Sequence, residues 1–302
     1  MFKESGLKIW EVIIIILGIS TRFNLSYKGR RALIEATKLF AGPEFSSWDI
    51  SDYYLSKIFD PPEDVIKYHF YCEVCCQELE KPMVKKKFKK HKITCQKCLK
   101  KNSLSMRSPN YFLSIDIKYQ IASLLKMQTV KDSLFSNLQK SKPCMDGVIR
   151  DVHDGLLYRN LSADVSDDCI LLTCIFNTDG APVNETSKDS FWPKLVIINE
   201  LPANVRFRHP LLAGLWIGKK EPSAEMMNTY IKSFVEQLND FGTTGFTLTI
   251  DEKPVRFLIR PLVCTVDSVA RPVLQNRVQF NAYYGCSWCK SVGGHKLDSC
   301  DS

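Results

Sequence analysis

Hydrophobic positions along the chain change period several times, and each change predicts a different element. Residues 10–19 are apolar almost throughout, with Val12-Ile-Ile-Ile-Ile-Leu-Gly-Ile19 at the centre. The run is shorter than the ~20 residues that cross a bilayer, so we read a buried helix, after weighing a signal peptide behind Lys3 and Lys8. A basic helix follows over residues 28–40, stopped by Gly42-Pro43. From 111 to 140 apolar residues recur at Ile117, Ile121, Leu124 and Leu125, a helical period. Residues 170–178, 191–198 and 211–217 read as strands. Met227, Tyr230, Ile231, Phe234, Val235 and Leu238 then form one helical face behind Pro222-Ser223, with Gly242 as the expected stop. Residues 246–250 and 255–266 read as a hairpin about a turn at 251–254.

This order predicts a mixed α+β chain in four parts. They are a helical region (1–60), a cysteine-rich unit (61–110), a helix and linker (111–143), and an α/β domain (144–302).

Charge and cysteine alter that picture in the second part. The net charge is +8, yet ten lysines and no acid lie between Lys81 and Lys101, so the rest of the chain is near neutral. Such a patch suits a polyanion such as nucleic acid, or a nuclear import signal, or a plain solvated face. Lys85, Lys86, Lys87, Lys89 and Lys90 are its densest group. Six of the twelve cysteines form C-x-x-C pairs at 72/75, 95/98 and 286/289. This is metal-knuckle spacing rather than a secreted disulfide framework, and it implies a reducing compartment. Cys72, Cys75, Cys95 and Cys98, with nineteen residues between the pairs, fit a four-cysteine structural zinc site. Cys76 is an alternative to Cys75. Cys286 and Cys289 are half of a second zinc site, with His295 and Cys300 as the only ligands in reach. The remaining histidines, at 69, 91, 153 and 209, show no partner pattern and read as structural or surface residues.

Two apolar strands each end in an aspartate, Asp179 and Asp267, and ligands collect at that end of α/β sheets. Taken singly, Asp179 is also a common turn residue in Thr-Asp-Gly, and Asp267 a helix cap.

Several short motifs occur in order: Val152-His-Asp-Gly-Leu-Leu-Tyr158, Phe176-Asn-Thr-Asp-Gly180, Ser190-Phe-Trp-Pro193, Asn199-Glu-Leu-Pro202, Leu211-Leu-Ala-Gly-Leu-Trp-Ile-Gly-Lys219 and Val278-Gln-Phe-Asn-Ala-Tyr-Tyr-Gly-Cys-Ser-Trp-Cys289. Over about residues 150–290 the chain resembles the CACTA (En/Spm-type) DDE transposases. The upstream cysteines resemble the zinc ribbon that precedes the catalytic domain in many animal members. The resemblance implies a ribonuclease H-like fold, with Asp179 and Asp267 as the first two catalytic acids holding Mg or Mn. It also implies a nuclear, DNA-binding protein that acts on transposon ends or without sequence preference. Homo-oligomerisation is left open, and no membrane role is implied. The family's third acid is a glutamate well downstream, and no residue here matches it. The expectation is therefore an incomplete ribonuclease H-like domain in a truncated, catalytically inactive copy. The alternative is an active transposase or nuclease.

Overall fold

The computed structural model describes residues 6–43, 51, 60–108, 110–140, 148–166, 168–182, 189–219, 221–279 and 282–285. The chain separates into two units, 1–62 and 63–302.

The first unit is a helical hairpin. Helix α1 (Ile9–Arg22) packs Val12, Ile13 and Ile16 against Ile34 of α2 (Tyr27–Ala41). The Ser26 hydroxyl caps α2 by accepting from the Gly29 N–H at 3.2 Å. Trp10, Ile14 and Ile15 of α1 remain exposed. Among the described residues no helix is long and apolar enough to cross a membrane.

The second unit is built on one eight-stranded mixed sheet. Its strands are β1 (Ile66–Phe70), β4 (Tyr111–Ile115), β5 (Cys169–Thr178), β6 (Ala181–Pro182), β7 (Ser190–Ile198), β8 (Leu211–Gly218), β9 (Phe246–Ile250) and β10 (Lys253–Cys264). Their order is β1-β4-β8-β7-β5-β10-β9, and β6 pairs with the start of β7. All neighbours are antiparallel except β5 and β10, which run parallel. A parallel neighbour needs a crossover, and α7 (Ala224–Thr243) supplies it. Ser223 caps α7 by accepting from Met226 N–H at 3.2 Å. Tyr230, Phe234, Leu238 and Phe241 recur at helical spacing and are buried, whereas Val235, expected on that face, is exposed. The stop is not Gly242, which is helical, but Gly245 at φ +70°. A Cβ there would lie 2.4 Å from the Phe257 carbonyl oxygen, so the left-handed turn and the close strand both require glycine.

Helices α3 (Ile117–Leu124) and α4 (Gln128–Lys140) share this face of the sheet with α7. Leu172, Cys174, Val196, Ile198, Phe257 and Ile259 meet them there in the main core. The short α5 (Leu156–Ser162) and α6 (Ala203–Arg206) complete the helices before α8 (Ala270–Gln275). A small separate hairpin, β2 (His91–Thr94) with β3 (Lys101–Leu104), carries part of the cysteine-rich segment.

Three expectations change. The helical reading that began at residue 111 fails at its start. Tyr111-Phe-Leu-Ser-Ile115 alternates as a strand, and the Asp116 carboxylate caps α3 by accepting from Tyr119 N–H at 3.2 Å. The boundary placed at 110 falls inside the sheet, because β1 and β4 flank the cysteine segment and join it to β8. The turn at 251–254 is also tighter than expected. Asp251 and Glu252, both at positive φ, connect the hairpin directly, and Pro254 already lies in β10.

Candidate functional site

The cysteines come together through two copies of one local device. In the first knuckle Cys76 N–H donates to the Cys72 carbonyl at 2.9 Å, and Cys72 N–H donates to Gln77 O at 2.8 Å. In the second, Leu99 N–H donates to Cys95 O at 2.9 Å, and Cys95 N–H donates to Lys100 O at 2.8 Å. The residue after each pair, Cys76 or Leu99, has positive φ, 57° and 59°. Each turn therefore points two thiols the same way. The four Sγ atoms of Cys72, Cys75, Cys95 and Cys98 lie within 4.8 Å of one another. Cys72 and Cys98 are 3.5 Å apart, as are Cys75 and Cys95. Cys76 is outside the group. Its carbonyl accepts from the Thr229 hydroxyl of α7 at 2.9 Å, and it packs against the buried cluster that includes Tyr71 and Met226. Among the described residues this is the one group of three or more ligands gathered closely enough for a metal ion.

The donor set fits such an ion. Burial alone would oppose ionisation of Cys72, but N–H groups of Cys75 and Val74 outweigh it and lower the thiol to about 6. N–H groups of Cys98 and Lys97 lower Cys95 likewise. The Asn102 amide also reaches Cys72 Sγ at 3.6 Å. Once the first thiolates form, the crowded Cys98 rises to about 12, although the Lys100 N–H opposes the shift. Four converging thiols suit a soft tetrahedral cation such as zinc.

The lysines lie on the chain between the two knuckles and just after the second. Lys85–Lys87 form a 3-10 turn, and Lys85, Lys86, Lys87, Lys89 and Lys90 are all exposed. Phe88 anchors the loop by stacking on buried Phe70, with ring centroids 4.9 Å apart. Lys86 pairs with Glu63 at 2.8 Å, and Lys100 with Glu73 at 3.5 Å, so part of the cationic charge is offset.

The two aspartates meet by a different route. Parallel pairing sets Phe176 of β5 opposite Cys264 of β10, 88 positions on. The same offset continues past the ladder, where Thr265 N–H donates to Phe176 O at 2.9 Å and the Asn177 amide to Thr265 O. Pro261, which has no N–H to give, coincides with a register shift in β10. Asp179 and Asp267 accordingly line one cavity of about 420 Å³ at this edge of the sheet. Asp189 and Glu221 line it too, and the sequence offered no motif that singled them out. The carboxylates do not converge as the thiols do. Asp267 Oδ1 accepts from Val269 and Ala270 N–H at 2.9 and 2.7 Å, capping α8, and Asp179 Oδ1 accepts from Gly180 N–H at 2.7 Å.

Glu200, another acid in the resembling motifs, lies elsewhere. It is fully buried and accepts from the Thr173 N–H and hydroxyl, each at 2.8 Å. Burial pushes its carboxyl up to about 7. Thr173 precedes Asp179 by six strand residues, about 20 Å at ~3.3 Å per residue, so Glu200 is no third ligand. Asn199 donates to the same Thr173 hydroxyl at 3.0 Å, and Arg206 forms a two-pronged pair with Asp151 at 2.9 and 2.5 Å. Much of what the motif at 199–202 encodes is therefore a buried polar network, which Arg206 links to Asp151, the residue just before the 152–158 motif.

Of the histidines, His69 is buried and bridges Glu78 and Ser114 at 2.8 and 2.7 Å. The bridge ties the segment after the first knuckle to β4. Cys286, Cys289, His295 and Cys300 lie outside the described residues.

No protein-family model matches the chain, and no curated protein matches it.

Proposed function

We propose that this chain is a transposase-derived DNA-binding protein whose carboxylate site does not perform catalysis. The observation that carries the reading is the parallel pairing of β5 and β10, which brings Asp179 and Asp267 to one cavity. Three antiparallel strands in the order β8-β7-β5, followed by a strand parallel to the first, support a ribonuclease H-like sheet. The zinc-supported loop with Lys85, Lys86, Lys87, Lys89 and Lys90 is the DNA-binding element, and its contacts go to phosphates rather than bases. The nucleus is the compartment that reading implies.

Binding without catalysis follows from how the carboxylates are used. Strand transfer needs two ions held in register by several carboxylates. Here Asp267 spends one oxygen on two backbone N–H groups. No three acids among the described residues gather around a point. A second reading, an active Mg- or Mn-dependent DDE enzyme, is favoured by Asp189 and Glu221 lining the same cavity.

The experiment is a strand-cleavage assay of the full chain on supercoiled DNA with magnesium or manganese, beside Asp179→Asn. The expected result is no cleavage by either protein. Metal-dependent cleavage that disappears in Asp179→Asn would replace the binding reading with the enzymatic one.

A further inference from the structure

A row of aromatic rings leads from the lysine-rich loop to a cavity. Phe88, between Lys87 and Lys89, stacks on Phe70 of β1, and Phe70 is opposite Tyr111 of β4. Residues directly opposite one another project from the same face of a sheet. The Phe70 and Tyr111 ring centroids are accordingly 5.5 Å apart, and Tyr68 meets Tyr111 at 5.4 Å. Burial raises the Tyr111 pKa and Tyr68 adds to the rise, while Lys85 is close enough for its charge to oppose both. Tyr111 is also part of the lining of a cavity of about 300 Å³. Leu113 of β4, Leu215 and Ile217 of β8, and Arg107 in the segment after β3 line it too. Leu113 and Leu215 are opposite one another in the sheet. Arg107 is exposed, and no carboxylate is among the described lining residues.

We propose that this cavity takes one unpaired base of a DNA strand, with the flanking phosphates held by Arg107 and Lys85. The chemistry of the lining selects that occupant. An aromatic ring and three aliphatic side chains match the flat, apolar face of a base. Stacking on aromatic side chains is how single strands are held without reading their sequence. Cations with no carboxylate beside them match the phosphates on either side of the base. Size points the same way. Ligand sites span ~300–1,000 Å³, so a cavity at the lower limit has room for a single ring system rather than a base pair. A paired base would first have to leave its stack, which favours DNA that is already single-stranded. The inference rests on the DNA-binding reading and deepens it. The lysines hold the backbone of either form, and the cavity distinguishes a single strand from a duplex.

The test titrates the full chain, by fluorescence anisotropy, onto a labelled unstructured DNA strand of ~16 nucleotides. The second probe is the duplex of that strand with its complement, in the same buffer. The single strand should bind at least about tenfold tighter, the order that stacking of one base supplies. Ile217→Glu, at a position already 49% exposed, should remove the preference. Tyr111→Leu, which deletes the ring and keeps an apolar side chain in the strand, should reduce it. Val235→Glu on α7, exposed and outside the cavity, is the charge-matched control and should keep it. Circular dichroism and zinc content check the folding of each variant. Equal affinity of the wild-type chain for the two probes would overturn the proposal and leave phosphate binding by the lysines standing. So would a preference that survives in both cavity variants. No binding to either probe would overturn the DNA-binding reading as well.

Discussion

The cysteine cluster and the aspartate cavity each gather chemically similar side chains from two segments, yet they are assembled by opposite means. Each knuckle is closed by two backbone hydrogen bonds within six residues, so a C-x-x-C pair already carries its geometry. Only the meeting of the two knuckles depends on the β2–β3 hairpin and its neighbours. The aspartates own no such local device. Asp179 and Asp267 share a cavity because β5 and β10 pair in one register, and that register depends on α7, on the turn at Gly245 and on the hairpin at Asp251-Glu252. A local device survives small shifts in the sheet, whereas a long-range one does not. This explains why four thiols converge within 4.8 Å while Asp179 and Asp267 are each bonded to nearby backbone instead.

Removing the metal should break the first arrangement most severely. A structural zinc contributes on the order of 10 kcal/mol in small zinc domains. We expect one zinc per chain by elemental analysis, and none in Cys95→Ser/Cys98→Ser. The damage should also spread. β1 and β4 border the knuckles and carry the sheet outward from β8, so amide exchange should accelerate in 66–70 and 111–115. Protection in β5 and β10 should persist. Equal loss everywhere would show that the two regions are one cooperative unit.

The sheet beneath the cavity carries its own sensitivity, to pH. Lys194 is buried, with Nζ donating to Tyr230 O at 2.7 Å and lying 3.9 Å from the Tyr230 ring centre. Burial lowers its pKa to about 7, and burial raises Glu200 to about 7. Between pH 7 and the ordinary lysine range the unfolded chain holds more protons at Lys194, so stability rises with pH. Between the ordinary carboxylate range and pH 7 the folded chain holds more at Glu200, so stability falls. Together the two groups place a minimum near neutrality. Thermal melts of Lys194→Met should lose the alkaline rise and keep the acidic fall. An unchanged profile would contradict the assignment.

A smaller effect separates capping from catalysis at the cavity. Asp267→Ala should cost about 1 kcal/mol through loss of the cap on α8, while Asp179→Ala should cost less, since its one bond is to its neighbour Gly180. Stability equal to wild type for Asp267→Ala in urea melts would remove the capping role.

How much of this was legible beforehand follows the same division. The four cysteines, the helices of the first unit and the main strands were readable, because spacing and period are local. Residue 76 could not be separated from residue 75 by spacing, since only the positive φ at Cys76 turns its side chain away. The strand at Tyr111–Ile115 was hidden by the helical period that begins six residues later at Ile117. Asp189 and Glu221 were invisible because their place at the cavity comes from tertiary packing alone. Lys194, spread through a strand motif, gave no sign of its burial among aromatic rings.

The proposed binding of DNA phosphates by the lysine-rich loop is tested most directly by salt dependence. Full-length protein and the variant with Lys85, Lys86, Lys87, Lys89 and Lys90 replaced by glutamine are titrated onto duplex DNA from 50 to 250 mM salt. Each phosphate contact contributes a log–log slope of about −0.9, so five lost contacts should flatten the slope by about 4.5. The pairing of Lys86 with Glu63 makes a somewhat smaller change acceptable. This flattening is the expected result, with the zinc content unchanged. Equal slopes for the two proteins, or no DNA binding by the wild-type chain at 50 mM salt, would contradict it.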